Sequence, residues 1–136
     1  GYPSGPTDIY NRGSNPYGLY GIQGKYDFNA GDIAMEPSSR FVSSNNVDFR
    51  GKSTIYIDFL TGTNSIFTFL FYKNANFGSS LQISGTTTFR ITNIPDGTYK
   101  TVTYSTPITQ QVVTRIGFIY NTGPYYNIAV YRIWLN

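Results

Sequence analysis

The chain of 136 residues contains no cysteine and no histidine. Without cysteine there is no disulfide framework, no thiol nucleophile and no thiolate metal site. Without histidine there is no Ser-His-Asp triad, no zinc–histidine centre and no imidazole for acid–base work. Carboxylates are scarce too: Asp and Glu total 7, and Glu36 is the lone glutamate. Charged residues make up only 12% of the chain. The basic ones (Arg12, Lys25, Arg40, Arg50, Lys52, Lys73, Arg90, Lys100, Arg115 and Arg132) are scattered, with only Arg50 and Lys52 close together. Nucleic-acid binders gather Lys and Arg on one face, so the net charge of +3 predicts no nucleic-acid partner. The apolar run SIFTFLFY, Ser65 to Tyr72, is far shorter than the roughly 18 residues of a membrane span, and no membrane partner is expected. There is no Walker-type glycine loop and no EF-hand spacing. No cofactor is expected.

What the chain has instead is aromatic and small polar residues: 13 Tyr, 10 Phe and one Trp, on a background of Thr, Ser, Asn and Gly. A single domain of this length buries roughly 68% of its unfolded surface, so it folds without a metal or a disulfide. Strand signals recur at short intervals, separated by turn residues. Thr54 to Leu60, TIYIDFL, alternates Ile55, Ile57 and Phe59 against Thr54, Tyr56 and Asp58. Ser65 to Lys73 is apolar on both faces, as a strand covered on both sides would be. Further strands are predicted at Lys25–Asn29, Asp32–Glu36, Arg40–Ser43, Asn46–Arg50, Leu81–Ser84, Thr86–Ile91, Tyr99–Tyr104, Val112–Tyr120 and Ile128–Leu135. The last is long and apolar and is expected inside a sheet, because such an edge would aggregate. No helical period and no internal repeat is found. The pattern predicts an all-β fold, a single jelly-roll-like antiparallel β-sandwich. Residues 1–24, rich in Gly, Pro, Asn and Tyr, read as an irregular lead-in or linker, and residues 25–136 as the sandwich.

Hydrolysis of a glycosidic bond needs two carboxyls across a sugar. Asp27, Asp32 and Glu36 are near one another in sequence, but nothing fixes a pair, and aspartates also initiate turns. The same three are the oxygen ligands from which a calcium site would be built. The remaining signal is tyrosine on strands. Neighbouring strand residues face opposite ways, so Tyr125 and Tyr126 of TGPYYN cannot both enter one core. One of Tyr99 and Tyr104 must also face out, and parity sets Tyr131 and Trp134 on opposite faces. Tyrosine has a flat apolar ring, a polar tip and little rotamer freedom to lose. The C–H patch of a sugar ring lies on such a face while its hydroxyls bond to Asn, Asp, Arg or Thr nearby. Against this stands the high β propensity of tyrosine and its value in cross-strand pairs. The candidate platforms are Tyr56, Tyr72, Tyr104, Tyr125 and Tyr126. The candidate hydrogen-bonding partners are Asp58, Arg90, Lys100 and Asn127. Trp134 reads as core or sheet packing.

The order of these pieces resembles the carbohydrate-binding-module-like β-sandwich domains in tail and baseplate proteins of phages that infect Gram-positive bacteria. GDIAMEPSSRF resembles the opening strand and loop, STIYIDFL and SIFTFLFYKN the paired central strands, and TTTFRITNIPDGTYKTVTYS the strand-turn-strand with its PDGTY corner. RIGFIYN and YNIAVYRIWLN resemble the closing pair. The resemblance covers roughly residues 25–136. It implies a non-catalytic domain of a virion tail or an extracellular protein. Its partners would be cell-surface polysaccharide and other virion tail proteins. Jelly rolls also build capsids and spikes, so a trimeric structural virion domain is the main alternative. A polysaccharide-degrading enzyme domain is the second.

Overall fold

A computed structural model describes residues 4–23, 31–85, 87–95, 97–123 and 128–136. Among them run twelve strands: β1 (Thr7–Asn11), β2 (Leu19–Gln23), β3 (Ile33–Met35), β4 (Arg40–Ser43), β5 (Val47–Asp48), β6 (Thr54–Thr61), β7 (Ser65–Lys73), β8 (Phe89–Ile91), β9 (Lys100–Pro107), β10 (Val113–Thr114), β11 (Ile116–Thr122) and β12 (Ile128–Leu135). A short 3-10 turn covers Ser79–Leu81. Two antiparallel sheets form a sandwich. The first has the order β1-β12-β6-β9, with β3 pairing β12 beyond the end of β1. The second has the order β2-β4-β11-β7-β8. A two-stranded ribbon of β5 and β10 joins them. The expected all-β jelly-roll-like sandwich is the fold observed, and β12 lies inside its sheet as expected.

The alternation seen in TIYIDFL sets the two faces of the first sheet. Ile55, Ile57, Phe59 and Thr61 are buried while Thr54, Tyr56, Asp58 and Leu60 are half-exposed. On β9, Tyr104 and Thr106 turn inward while Thr101, Thr103 and Ser105 are exposed. Facing them, β7 contributes Phe67, Phe69 and Phe71, and β11 contributes Ile116, Phe118 and Tyr120. Phe69 lies at the middle of this aromatic core. Its ring is 5.0 Å from Phe59, 5.6 Å from Phe118, 5.3 Å from Tyr120 and 5.8 Å from Tyr104. Burial pushes the Tyr120 hydroxyl far above its usual range, because the charged form would lose its water.

The outer side of the second sheet is covered by its own chain over β7 and β11. Leu70, Tyr72 and Ile119 form a small buried cluster there, and Phe77 packs on it. The loop approaches so closely that a Cβ on Gly117 would lie 2.2 Å from the Asn74 carbonyl oxygen and 3.2 Å from the Phe77 ring. Gly117 is therefore what admits the cover. Arg40 caps it, with its guanidinium carbon 4.8 Å from the Phe77 ring centre. Ser65–Lys73 is thus apolar on both faces because both faces are covered, as its sequence predicts.

The lead-in expected over residues 1–24 needs correction. Thr7–Asn11 pairs with β12 and Leu19–Gln23 pairs with β4, so this segment supplies one strand to each sheet. The buried Lys52 ammonium donates to the Gly5 carbonyl and ties down the start of the described chain. The strand expected at Lys25–Asn29 lies outside the described residues.

One surface pair has a measurable electrostatic signature. Asp48 accepts from Arg50 Nε and Nη2, each at 2.9 Å, and from the Arg50 backbone N–H at 3.0 Å. These hydrogen bonds hold its carboxyl at a pKa of about 2, against an ordinary 3.8. The folded value is the lower one, so the stabilisation is present above the unfolded pKa and is lost as pH falls through about 2. A carbon-detected NMR titration should find the Asp48 midpoint there, and Arg50→Ala should return it toward the ordinary value.

Candidate functional site

The outer side of the first sheet is built differently from that of the second. β12 carries a bulge: its register with β6 shifts between Val130 and Arg132. Two consecutive residues, Tyr131 and Arg132, are therefore both half-exposed, and the inward beat resumes at Ile133 and Leu135. Arg132 and Trp134 consequently share the outward face with their β6 partners Asp58 and Tyr56. The Tyr56 and Trp134 rings stack across the strands, with centroids 5.1 Å apart and planes 12° from parallel. The Arg132 guanidinium lies over the indole at 4.2 Å.

That guanidinium is held by Asp8 of β1, the register partner of Trp134. Asp8 Oδ1 accepts from Arg132 Nε at 2.8 Å and pairs with Nη2 at 2.7 Å. Its other oxygen accepts from Asn11 Nδ2 at 3.0 Å. On the β9 side of the face, Asp58 Oδ1 accepts from Thr103 Oγ1 at 2.6 Å. The face thus holds Asn11 and Asp8 of β1, Arg132 and Trp134 of β12, their partners Asp58 and Tyr56 on β6, and Thr103 of β9. Beside it, Arg12 stacks over Tyr131 at 4.5 Å.

Trp134 has Tyr56 and Arg132 against its ring. Tyr56 differs, because in register it sits between Trp134 on β12 and Ser105 on β9. The indole covers one of its faces, and the short Ser105 side chain leaves the other open toward β9. Polar groups with spare capacity surround that open face. Among the described residues no hydrogen bond engages the Tyr56 hydroxyl, the Trp134 indole N–H, Asp58 Oδ2 or Arg132 Nη1. Two carboxylates against two guanidiniums leave the patch near neutrality. Such a surface offers an apolar ring flanked by fixed donors and acceptors, the combination that a neutral polyhydroxylated ligand requires.

Of the residues singled out from sequence, Tyr56 and Asp58 come together on this face. Tyr72 and Tyr104 are corrected. Tyr72 is 4% exposed and lies on the other sheet beneath Phe77, with ring centres 5.2 Å apart and its hydroxyl accepting from Gln82. Tyr104 is 5% exposed and faces the core, stacked on Phe89 at 4.4 Å, with its hydroxyl donating to the Thr87 carbonyl. Neither presents a ring to solvent. The parity argument for Tyr99 and Tyr104 holds, but Tyr99 is the one that faces out, at 53% exposure. Arg90 is exposed on β8, paired with Ile66 in the second sheet, and does not join Asp58. Lys100 is exposed at the start of β9, on the inward beat of Val102 and Tyr104. Tyr125, Tyr126 and Asn127 lie outside the described residues, as does Asp27 of the possible calcium set. Among the described residues no three acidic, histidine or cysteine side chains cluster.

Trp134, Arg132, Asp8 and Thr103 belong to this face without having been singled out from sequence. For Trp134 a signal was present: Ile133 and Leu135 are apolar and must face in, which puts the residue between them outward. Asp8 and Arg132 are 124 residues apart, and only the pairing of β1 with β12 brings them together.

No protein-family model matches the chain, and no curated protein matches it in sequence. Solved structures of the same fold occur among the carbohydrate-binding modules of family 29. One point mutant from a study of ligand recognition by that family superposes with a TM-score of 0.57 at 14% identity, over 96% of this chain and 84% of its own. Another mutant gives 0.56 at 14% identity, over 96% and 90%. A third, complexed with cellulohexaose, gives 0.54 at 17% identity, over 96% and 89%. At such identities the likeness is one of fold. The chain has the β-sandwich of a carbohydrate-binding module.

Proposed function

We propose that this chain is a non-catalytic carbohydrate-binding domain that takes saccharide on the outer side of the β1-β12-β6-β9 sheet. The observation that carries the reading is the contrast between the two outer sides. One is closed over β7 and β11 by Phe77, while the other holds a stacked Tyr56–Trp134 pair flanked by solvent-facing polar atoms that no hydrogen bond engages among the described residues. The fold likeness to family 29 modules, one of them complexed with cellulohexaose, supports the same class of ligand. Asp8 has both oxygens engaged by Arg132 and Asn11. Asp58 is then the one carboxylate of this face with a free oxygen among the described residues, whereas glycoside hydrolysis uses two.

The target we propose is a host cell-surface polysaccharide, with the domain part of a phage tail or baseplate protein alongside other tail proteins, and so located in a virion or outside cells. The order of strands and the PDGTY corner support this setting. In that corner the Thr98 N–H closes a turn onto the Pro95 carbonyl at 3.0 Å.

The test is binding of the fluorescently labelled domain to intact Gram-positive cells and to their purified wall polysaccharide, with light scattering on the same sample. Saturable binding by a monomer, competed by free polysaccharide, is the expected result. A stable trimer without binding would instead assign the aromatic face to a subunit interface.

A further inference from the structure

The binding face does not end at Tyr56. β6 alternates to its last residue, with Tyr56, Asp58 and Leu60 outward and Ile57, Phe59 and Thr61 inward. Gly62 follows in the bend just past β6. A Cβ built there would lie 2.7 Å from Cε1 and 2.9 Å from Cδ1 of Tyr99. The Tyr99 ring therefore lies against Gly62, and the alternation that turns Thr101 and Thr103 outward on β9 sets Tyr99 on the side of Tyr56 and Trp134. Any side chain at position 62 would displace it. Its remaining surface is open, since it is the most exposed large hydrophobic residue among those described.

Between the two tyrosines β9 contributes short side chains beside Asp58 and Leu60 of β6. In register, Ser105 faces Tyr56, Thr103 faces Asp58 and Thr101 faces Leu60, and Thr61 pairs with Lys100 just before Tyr99. Thr101, Thr103 and Ser105 are all exposed. Among the described residues β9 is the end strand of its sheet, so no described strand raises a wall beyond it. Gly62 lies six residues on from Tyr56, a span of roughly 20 Å at about 3.3 Å per residue. The result is a shallow trough with an aromatic ring at each end and Asp58 and three hydroxyls along it.

We propose that this trough binds an internal stretch of a linear saccharide laid along β9, about four sugar rings long by that strand spacing, with Tyr99 as the distal platform. This rests on the saccharide-binding reading above and adds its ligand form: an extended chain rather than a chain end or a single sugar. The trough is open along its β9 side, so an extended chain can enter it sideways along its whole length. A pocket for a terminal sugar would be walled at one end, and neither Gly62 nor Ser105 supplies a wall.

The test uses fragments, from disaccharide to octasaccharide, made by partial hydrolysis of wall polysaccharide from the host cells, titrated calorimetrically into the intact chain. Affinity is expected to rise with length and to level off near the tetrasaccharide or pentasaccharide. Tyr99→Ala should weaken the longest fragments at least tenfold and leave the disaccharide unchanged. Gly62→Ala keeps the tyrosine but moves its ring, and should reproduce that loss. Tyr99 is exposed, so neither fold nor oligomeric state should change in its variant, and circular dichroism and light scattering check this. Equal affinity for short and long fragments, indifferent to Tyr99→Ala, overturns the extended site and leaves saccharide binding standing. Binding of neither fragments nor polymer overturns both.

Discussion

Removing the stacked pair on the first sheet is expected to abolish most saccharide affinity while leaving the fold intact. Tyr56→Ala takes away the ring with the open face, and Trp134→Ala takes away the support that holds it upright. Residues of this kind, central and aromatic, carry about 2 kcal/mol or more in the interfaces where they dominate. The expected loss is therefore roughly 30-fold or greater for either variant. The two losses should not add, because the rings act as one unit. Calorimetric titration of the wall polysaccharide into both single variants and the double variant measures this directly. Both side chains are half-exposed, so thermal unfolding of the variants should stay close to the parent. Tyr72→Phe and Tyr104→Phe serve as contrasts: their hydroxyls are engaged inside the protein, and saccharide affinity should not move.

The largest stability effect is expected at Phe69. Its ring is fully buried and lies 5.0 to 5.8 Å from Phe59, Tyr120, Phe118 and Tyr104, bridging the two sheets. Phe69→Ala removes a large side chain whose aromatic neighbours belong to strands fixed by their own hydrogen bonds, so the cavity cannot collapse. Such substitutions cost about 3–5 kcal/mol, a large share of the total stability of a domain. Chemical denaturation should show a midpoint far below the parent with an unchanged slope. A cost under about 1 kcal/mol would mean that the core is not packed as described. The loss falls on the fold, so ligand affinity measured well below the melting temperature should be largely preserved.

The parts of the fold that were legible in sequence are those in which one physical signal dominates. Ser65–Lys73 and Ile128–Leu135 appear with the bounds predicted, and TIYIDFL with its faces, because burial on one or both sides writes itself into the apolar period. β2 was not legible: after Leu19 its residues Tyr20, Gly21, Ile22 and Gln23 are all exposed, so no buried beat marks a strand. β1 buries Ile9 and Tyr10 in succession, across a bulge, which breaks the alternation that identifies strands. The candidate site was half legible for the same reason. Tyr56 and Asp58 follow from parity on a regular strand. Tyr104 was misread although Thr101, Thr103 and Ser105 already mark the polar side of its strand and leave Tyr104 for the core. Tyr72 lies on a strand apolar on both sides, and only the distant loop carrying Phe77 decides that its outward face is covered. Arg132 and Asp8 meet through a pairing of the first and last strands that local sequence does not encode.

Trp134 is the chain's single tryptophan and sits inside the proposed binding face, so the protein carries its own reporter. The most direct measurement follows the indole N–H resonance and the intrinsic fluorescence of Trp134 during titration with purified wall polysaccharide fragments. Both signals are expected to shift saturably, with one dissociation constant matching calorimetry, and the Thr101, Thr103 and Ser105 amides to move with them. Saccharide binding that leaves Trp134 and β9 silent while resonances around Tyr20, Arg40 or Phe77 move would contradict this expectation and transfer the site to the second sheet.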